Sequence, residues 1–163
     1  MISIRLAPAV DNNVTGRVGT RDIINRMQLQ LKELGISVSH DTKITVILNG
    51  SLDNLDYENV GSPSLSEYIA HDIGDQISGG TTIYSFRASG GSTDSTGKRL
   101  SVSSAFNLDG LSDLGNSILG GDDVFPNGPD IITICATVID TSEVDSGSSY
   151  RVASRLSWAE SQA

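Results

Sequence analysis

The run from Ile131 to Ile139 constrains this chain most. Ile131, Ile132, Ile134, Ala136, Val138 and Ile139 make it almost continuously apolar and rich in β-branched side chains. Such a run reads as a strand covered on both faces, so the fold needs a sheet with material packed on each side. Three further segments read as strands. Lys43–Leu52 places Ile44, Val46 and Leu48 on one face, and Thr81–Ala88 carries Tyr84 and Phe86 together. Tyr150–Ala159 repeats cleanly every second residue, with Tyr150, Val152, Leu156 and Trp158 on one side, so its other side is wet or faces a partner. Arg99–Ser103 is a weaker strand candidate.

Helical spacing is read in three places. Ile23, Ile24, Met27, Leu31 and Leu34 form a stripe over Arg21–Leu34, with Thr20 as N-cap and Gly35 as the residue after the end. Ser64 with Glu67 three residues on has the form of a capping box, which predicts a helix over Ser64–Asp72. Leu108, Leu111, Leu114 and Ile118 predict a third over Asn107–Leu119, weakened by Gly110 and Gly115. The expected class is therefore α+β. It consists of a mainly antiparallel sheet of about four to six strands with two or three short helices packed on it, and an extended N-terminal arm. Residues 1–19 are assigned to the arm, in which Ile2, Ile4 and Leu6 alternate as in a short strand. Residues 20–163 form a single α+β domain, as the length of 163 residues allows.

Composition excludes more than it assigns. The 11 basic against 20 acidic residues give a net charge of −9, which argues against electrostatic nucleic-acid binding. No apolar run is long enough for a membrane helix, and the first residues lack the apolar region of a secretory signal. One cysteine, Cys135, excludes an internal disulfide and reads as a small buried hydrophobe. Phosphate loops, dinucleotide fingerprints, nucleophile elbows and zinc-protease helices are all missing from the sequence. The two histidines are the remaining inventory for a hydrolase. His40 beside Asp41 reads as a solvated turn residue, and His71 beside Asp72 as a helix-end cation. No cofactor is expected.

Two acidic stretches offer hard oxygen ligands: Asp53, Asp56 and Glu58, and Asp122, Asp123, Asn127 and Asp130. Neither fits the EF-hand spacing, so a solvated loop is the plainer reading. A calcium site on Asp122, Asp123 and Asp130 is the alternative, serving a glycan-binding module. Trp158, the sole tryptophan, either caps the core or anchors an interface.

Four segments carry a resemblance: GTRDIINRMQL at residues 19–29, DLGNSILGG at 113–121, FPNGPD at 125–130 and RLSWAESQA at 155–163. Together, and in this order, they are similar to a module of structural proteins in marine tailed bacteriophages, notably T4-like cyanophages. The similarity runs from about Leu6 to Ala163. It implies a non-enzymatic virion protein of the tail, neck or baseplate region, with a capsid decoration protein on the head surface as the other placement. It also implies other virion proteins and further copies of the chain as partners, and no nucleic acid or membrane. The residues expected at subunit interfaces lie in the N-terminal arm (Arg5, Leu6, Val14) and on the C-terminal strand (Arg155, Trp158, Ala163).

Overall fold

The computed structural model describes residues 1–6, 27–53, 56–61, 64, 66–71, 75–92, 102–107, 118–120, 130–139 and 150–162. Among these residues there are twelve strands and no helix. They are β1 (Ile2–Leu6), β2 (Met27–Val38), β3 (Thr42–Leu48), β4 (Ser51–Leu52), β5 (Glu58–Asn59) and β6 (Ser66–Ala70). β7 (Ile77–Ser78), β8 (Thr81–Ala88), β9 (Val102–Asn107), β10 (Ile118–Gly120), β11 (Ile131–Val138) and β12 (Val152–Gln162) complete the set.

One sheet has six strands in the order β5-β6-β1-β11-β3-β8. The second has four, with β2 at its centre, β12 along one side of it, and β9 and β10 end to end along the other. All the pairings are antiparallel. The sheets share one core. Ile4, Leu6, Ile44, Val46, Ala88, Ile132 and Ile134 come from the first sheet, and Leu29, Leu31, Leu34, Ile36 and Val38 from β2. Their burial drives the packing, at roughly 1.5–3 kcal/mol for each large apolar side chain. The architecture is a β-sandwich.

This overturns the α+β expectation. The largest correction is at Arg21–Leu34, where β2 occupies the chain from Met27 onward; residues 21–26 lie outside the described residues. The physical reason is a β-bulge. Pairing with β12 runs Glu33↔Ser157 and then Leu31↔Trp158, so Lys32 is an extra residue on β2. Before the bulge Leu29 and Leu31 face the core, and after it Leu34, Ile36 and Val38 do. The one-residue slip turns a period of two into a spacing of three between Leu31 and Leu34, which imitates a helical stripe. Gly35, expected after a helix, lies in mid-strand between Ala105 and Arg155.

The helix expected over Ser64–Asp72 is also a strand, β6, and its capping-box residues have other partners. The Ser64 hydroxyl accepts the Ser66 N–H at 3.1 Å, a local turn that starts a strand as readily as a helix. Glu67 reaches across to Arg5 on β1 instead of back to Ser64. The helix expected over Asn107–Leu119 begins on the last residue of β9 and ends in β10; residues 108–117 lie outside the described residues.

β1 is a strand inside the six-stranded sheet, between β6 and β11. Lys43–Leu52 is split, because Asn49 takes a positive φ of 56° and ends β3. β8 has the expected bounds, and β11 is buried on both faces from Ile131 to Cys135. β4 and β7 pair with each other in a separate two-stranded sheet. Gly50 permits this pair to close, since a Cβ there would stand 2.4 Å from the Ile77 side chain.

Candidate assembly surface

β12 is the longest strand after β2 and pairs with it from Val152↔Val38 to Gln162↔Met27. No described strand pairs with its other side. Residues 151–155 are exposed on both faces, as an uncovered edge strand should be, and Val152 is 45% exposed although it sits opposite Val38. Because the extra residue of the bulge lies on β2, β12 itself is unbulged.

The inner face of β12 ties the sheets together. Leu156 and Trp158 are half-buried against the common core. Glu160, opposite Leu29, holds one carboxylate oxygen against three donors. Its Oε1 accepts from Ser64 Oγ at 2.5 Å, Ser66 Oγ at 2.6 Å and Trp158 Nε1 at 2.9 Å. Hydrogen bonds to a charged acceptor are the strong ones, and these join β12 to the start of β6 in the opposite sheet. Trp158 thus serves as a partial core cap and its ring nitrogen is satisfied. The outer face around it is small and polar: Ser37, Gly35, Ser103, Ala105 and Ala153 form an open depression flanked by Glu33 and Arg155.

The other expected interface residues are placed differently. Leu6 is fully buried in the core. Arg5 pairs with Glu67 at 3.0 Å and lies 3.9 Å over the Tyr57 ring. Arg155 is exposed on the β12 edge. Val14 and Ala163 lie outside the described residues.

Of the calcium candidates, Asp122 and Asp123 lie outside the described residues. Asp130 Oδ1 accepts from Asn49 Nδ2 at 2.8 Å, while Asn49 Oδ1 accepts the Ile131 N–H at 2.9 Å, closing the β3 end onto the start of β11. In the other acidic stretch, Glu58 accepts from the Tyr68 hydroxyl at 3.2 Å. Among the described residues no three acidic, histidine or cysteine side chains converge as a metal site would require.

The sequence did not reveal the pairing of Ser3 with His71, which are 68 residues apart. Ser3 Oγ lies 2.8 Å from His71 Nε2 and 2.9 Å from Thr133 Oγ1, and His71 Nδ1 faces Asp75 Oδ2 at 3.5 Å. The atoms are those of a hydrolytic triad, but the setting is not. Ser3 and Thr133 have no exposed surface, and Ser3 sits in mid-sheet with β6 on one side and β11 on the other. A nucleophile must meet its substrate, and no carbonyl carbon can approach this hydroxyl. Burial depresses the His71 pKa below its ordinary value, helped by the Met1 ammonium and opposed by Asp75. The Tyr57 hydroxyl is buried nearby, and burial raises its pKa against the pull of Arg5.

His40 is likewise internal. Its Nδ1 is 2.8 Å from Ser39 Oγ, its ring meets Tyr150 edge-on at 4.8 Å, and its carbonyl accepts from Thr42 Oγ1 at 2.7 Å. It belongs to the corner that turns β2 into β3. Asp41 there accepts the Gly90 N–H and an ion pair from Arg87. Cys135 is buried, and burial raises its pKa, as for an inert thiol.

Compared with family models, curated proteins and solved structures, the chain matches none of them.

Proposed function

We propose that this chain is a non-enzymatic structural subunit of a tailed bacteriophage particle, assembling with its own copies and other virion proteins in the tail, neck or baseplate region. The observation that carries this reading is where the segments of the phage resemblance meet. Parts of three of them lie side by side in the second sheet. Leu29 of β2 is flanked by Leu119 of β10 on one side and Glu160 of β12 on the other. Gln28 is flanked in the same way by Gly120 and Ser161. Segments about 90 and 40 residues apart in the chain thus form one patch of sheet, as a shared structural module requires.

The edge of β12 continues from that patch and supplies the exposed backbone donors and acceptors that assembly can use. The Ser–His pair and both histidines are committed to internal packing. The net charge of −9 supports protein partners over nucleic acid. Quantitative mass spectrometry of purified particles tests the proposal. A fixed copy number per particle is expected. Recovery of the chain only from the soluble fraction of infected cells overturns it.

A further inference from the structure

We propose that two copies of this chain pair through β12, edge to edge and antiparallel about a twofold axis at Ser157, joining the second sheets of both into one continuous sheet. The inference rests on the assembly reading above and adds the partner and the register.

The described edges are not equivalent. β5 has two residues. β8 carries its own bulge, because Val46↔Tyr84 is followed by Ile47↔Thr82 with Ile83 left over. β9 and β10 interrupt one another along β2. Short, bulged and broken edges resist strand addition. β12 has eleven residues, no bulge of its own, no proline and a single basic side chain, Arg155. Among the described residues it is the one long, regular edge without a partner strand.

A second copy fits because the strand is self-complementary. With the twofold axis perpendicular to the sheet, the inner faces of both copies stay on the same side, and paired residue numbers sum to an even value. Centring on Arg155 sets two arginines directly opposite, and centring on Glu160 does the same for two carboxylates; both are disfavoured. Centring on Ser157 avoids both and uses the whole strand, from residue 152 of one copy against 162 of the other. It sets Leu156 against Trp158 of the other copy twice, covering the half-buried surface of both. On the outer face it sets Arg155 against Ala159.

The test uses the full chain with a nitroxide label at one position at a time along β12. Distances between copies are expected to be shortest at Ser157 and to grow by roughly 6.6 Å per residue in either direction, twice the strand rise. Charge variants test the same register by sedimentation. Ala159→Arg faces Arg155 of the other copy twice and weakens the dimer about tenfold. Adding Arg155→Glu to that variant restores it, which a folding defect would not allow. A monomer at all concentrations, a distance minimum away from Ser157, or no rescue by the second substitution overturns the inference. A monomeric chain that is nevertheless present on particles would overturn this pairing and leave the virion reading standing.

Discussion

Individual residues in this sandwich hold their places through close approach and shared charge. At Gly90 a Cβ would stand 2.5 Å from the His40 backbone, whose carbonyl accepts from Thr42 Oγ1, while the Gly90 N–H is itself held by Asp41. Gly90→Ala is therefore expected to lower unfolding free energy by about 1–3 kcal/mol, measured by denaturant titration. Glu160 carries three donors on one oxygen, and Glu160→Ala removes the acceptor while leaving Trp158 Nε1 and two serine hydroxyls behind. A loss of about 2–3 kcal/mol is expected, with Glu160→Gln recovering part of it. His71 adds a pH dependence. Its folded pKa lies below the value of about 6.5 that it has in an unfolded chain, so the unfolded state takes up the proton first as pH falls. Stability is full above about 6.5 and declines as pH drops through that value toward the lower folded pKa. Thermal melts between about pH 7.5 and 5 should show the decline, and His71→Gln should flatten it. The partners that matter most are remote in sequence: Gly90 packs on His40, Glu160 accepts from Ser64 and Ser66, and His71 meets Ser3. His71 reads as a helix-end cation because it stands beside Asp72 at the end of the expected helix, whereas β6 is a strand there and the imidazole meets Ser3 of β1.

Elements show why strands passed for helices. β2 alternates correctly within Leu29–Leu31 and within Leu34–Val38, and only the extra Lys32 joins the two phases. A pattern that slips once within twelve residues offers both a helical and an extended reading, and the choice is made by β9, β10 and β12, which come much later in the chain. The capping-box signal at Ser64 is chemically real, since the hydroxyl does accept a backbone N–H two residues on, but that turn is shared by helix starts and strand starts. By contrast β11 and β12 are legible because one keeps a nearly continuous apolar run and the other a strict alternation, while β8 is legible from its β-branched and aromatic residues despite its bulge at Ile83. Deleting Lys32 tests the bulge. Without the extra residue Leu31 precedes Glu33 directly, so Leu29, Leu31, Leu34, Ile36 and Val38 alternate strictly and keep their β12 partners, and the variant should still melt cooperatively. A deletion variant that loses its cooperative melt would mean that Lys32 is not the extra residue joining the two phases.

At the scale of the whole molecule, two sheets share one core, β4 and β7 form a separate pair, and among the described residues one long strand edge is unpaired. The outer face beside that edge is built of small residues, so a neighbour can lie close to it without displacing large side chains. In the acidic stretches, for which a solvated loop is the plainer sequence reading and a cation site the alternative, Asp130 and Glu58 are engaged with Asn49 and Tyr68. The sequence expectation of α+β fails, and the C-terminal strand is present where alternation places one, but its first residues are exposed on both faces where the pattern predicts one wet face. The interface residues expected from the sequence divide accordingly. Those on β1 are built into the core or bonded across to β6, while Arg155 lies on the open edge. Electron cryomicroscopy of the intact particle tests the central claim most directly. Ordered, symmetric density that fits the sandwich is expected, with the β12 edge continued by a strand of a neighbouring subunit. A particle reconstruction in which the sandwich has no density, or in which the β12 edge faces solvent, would contradict it.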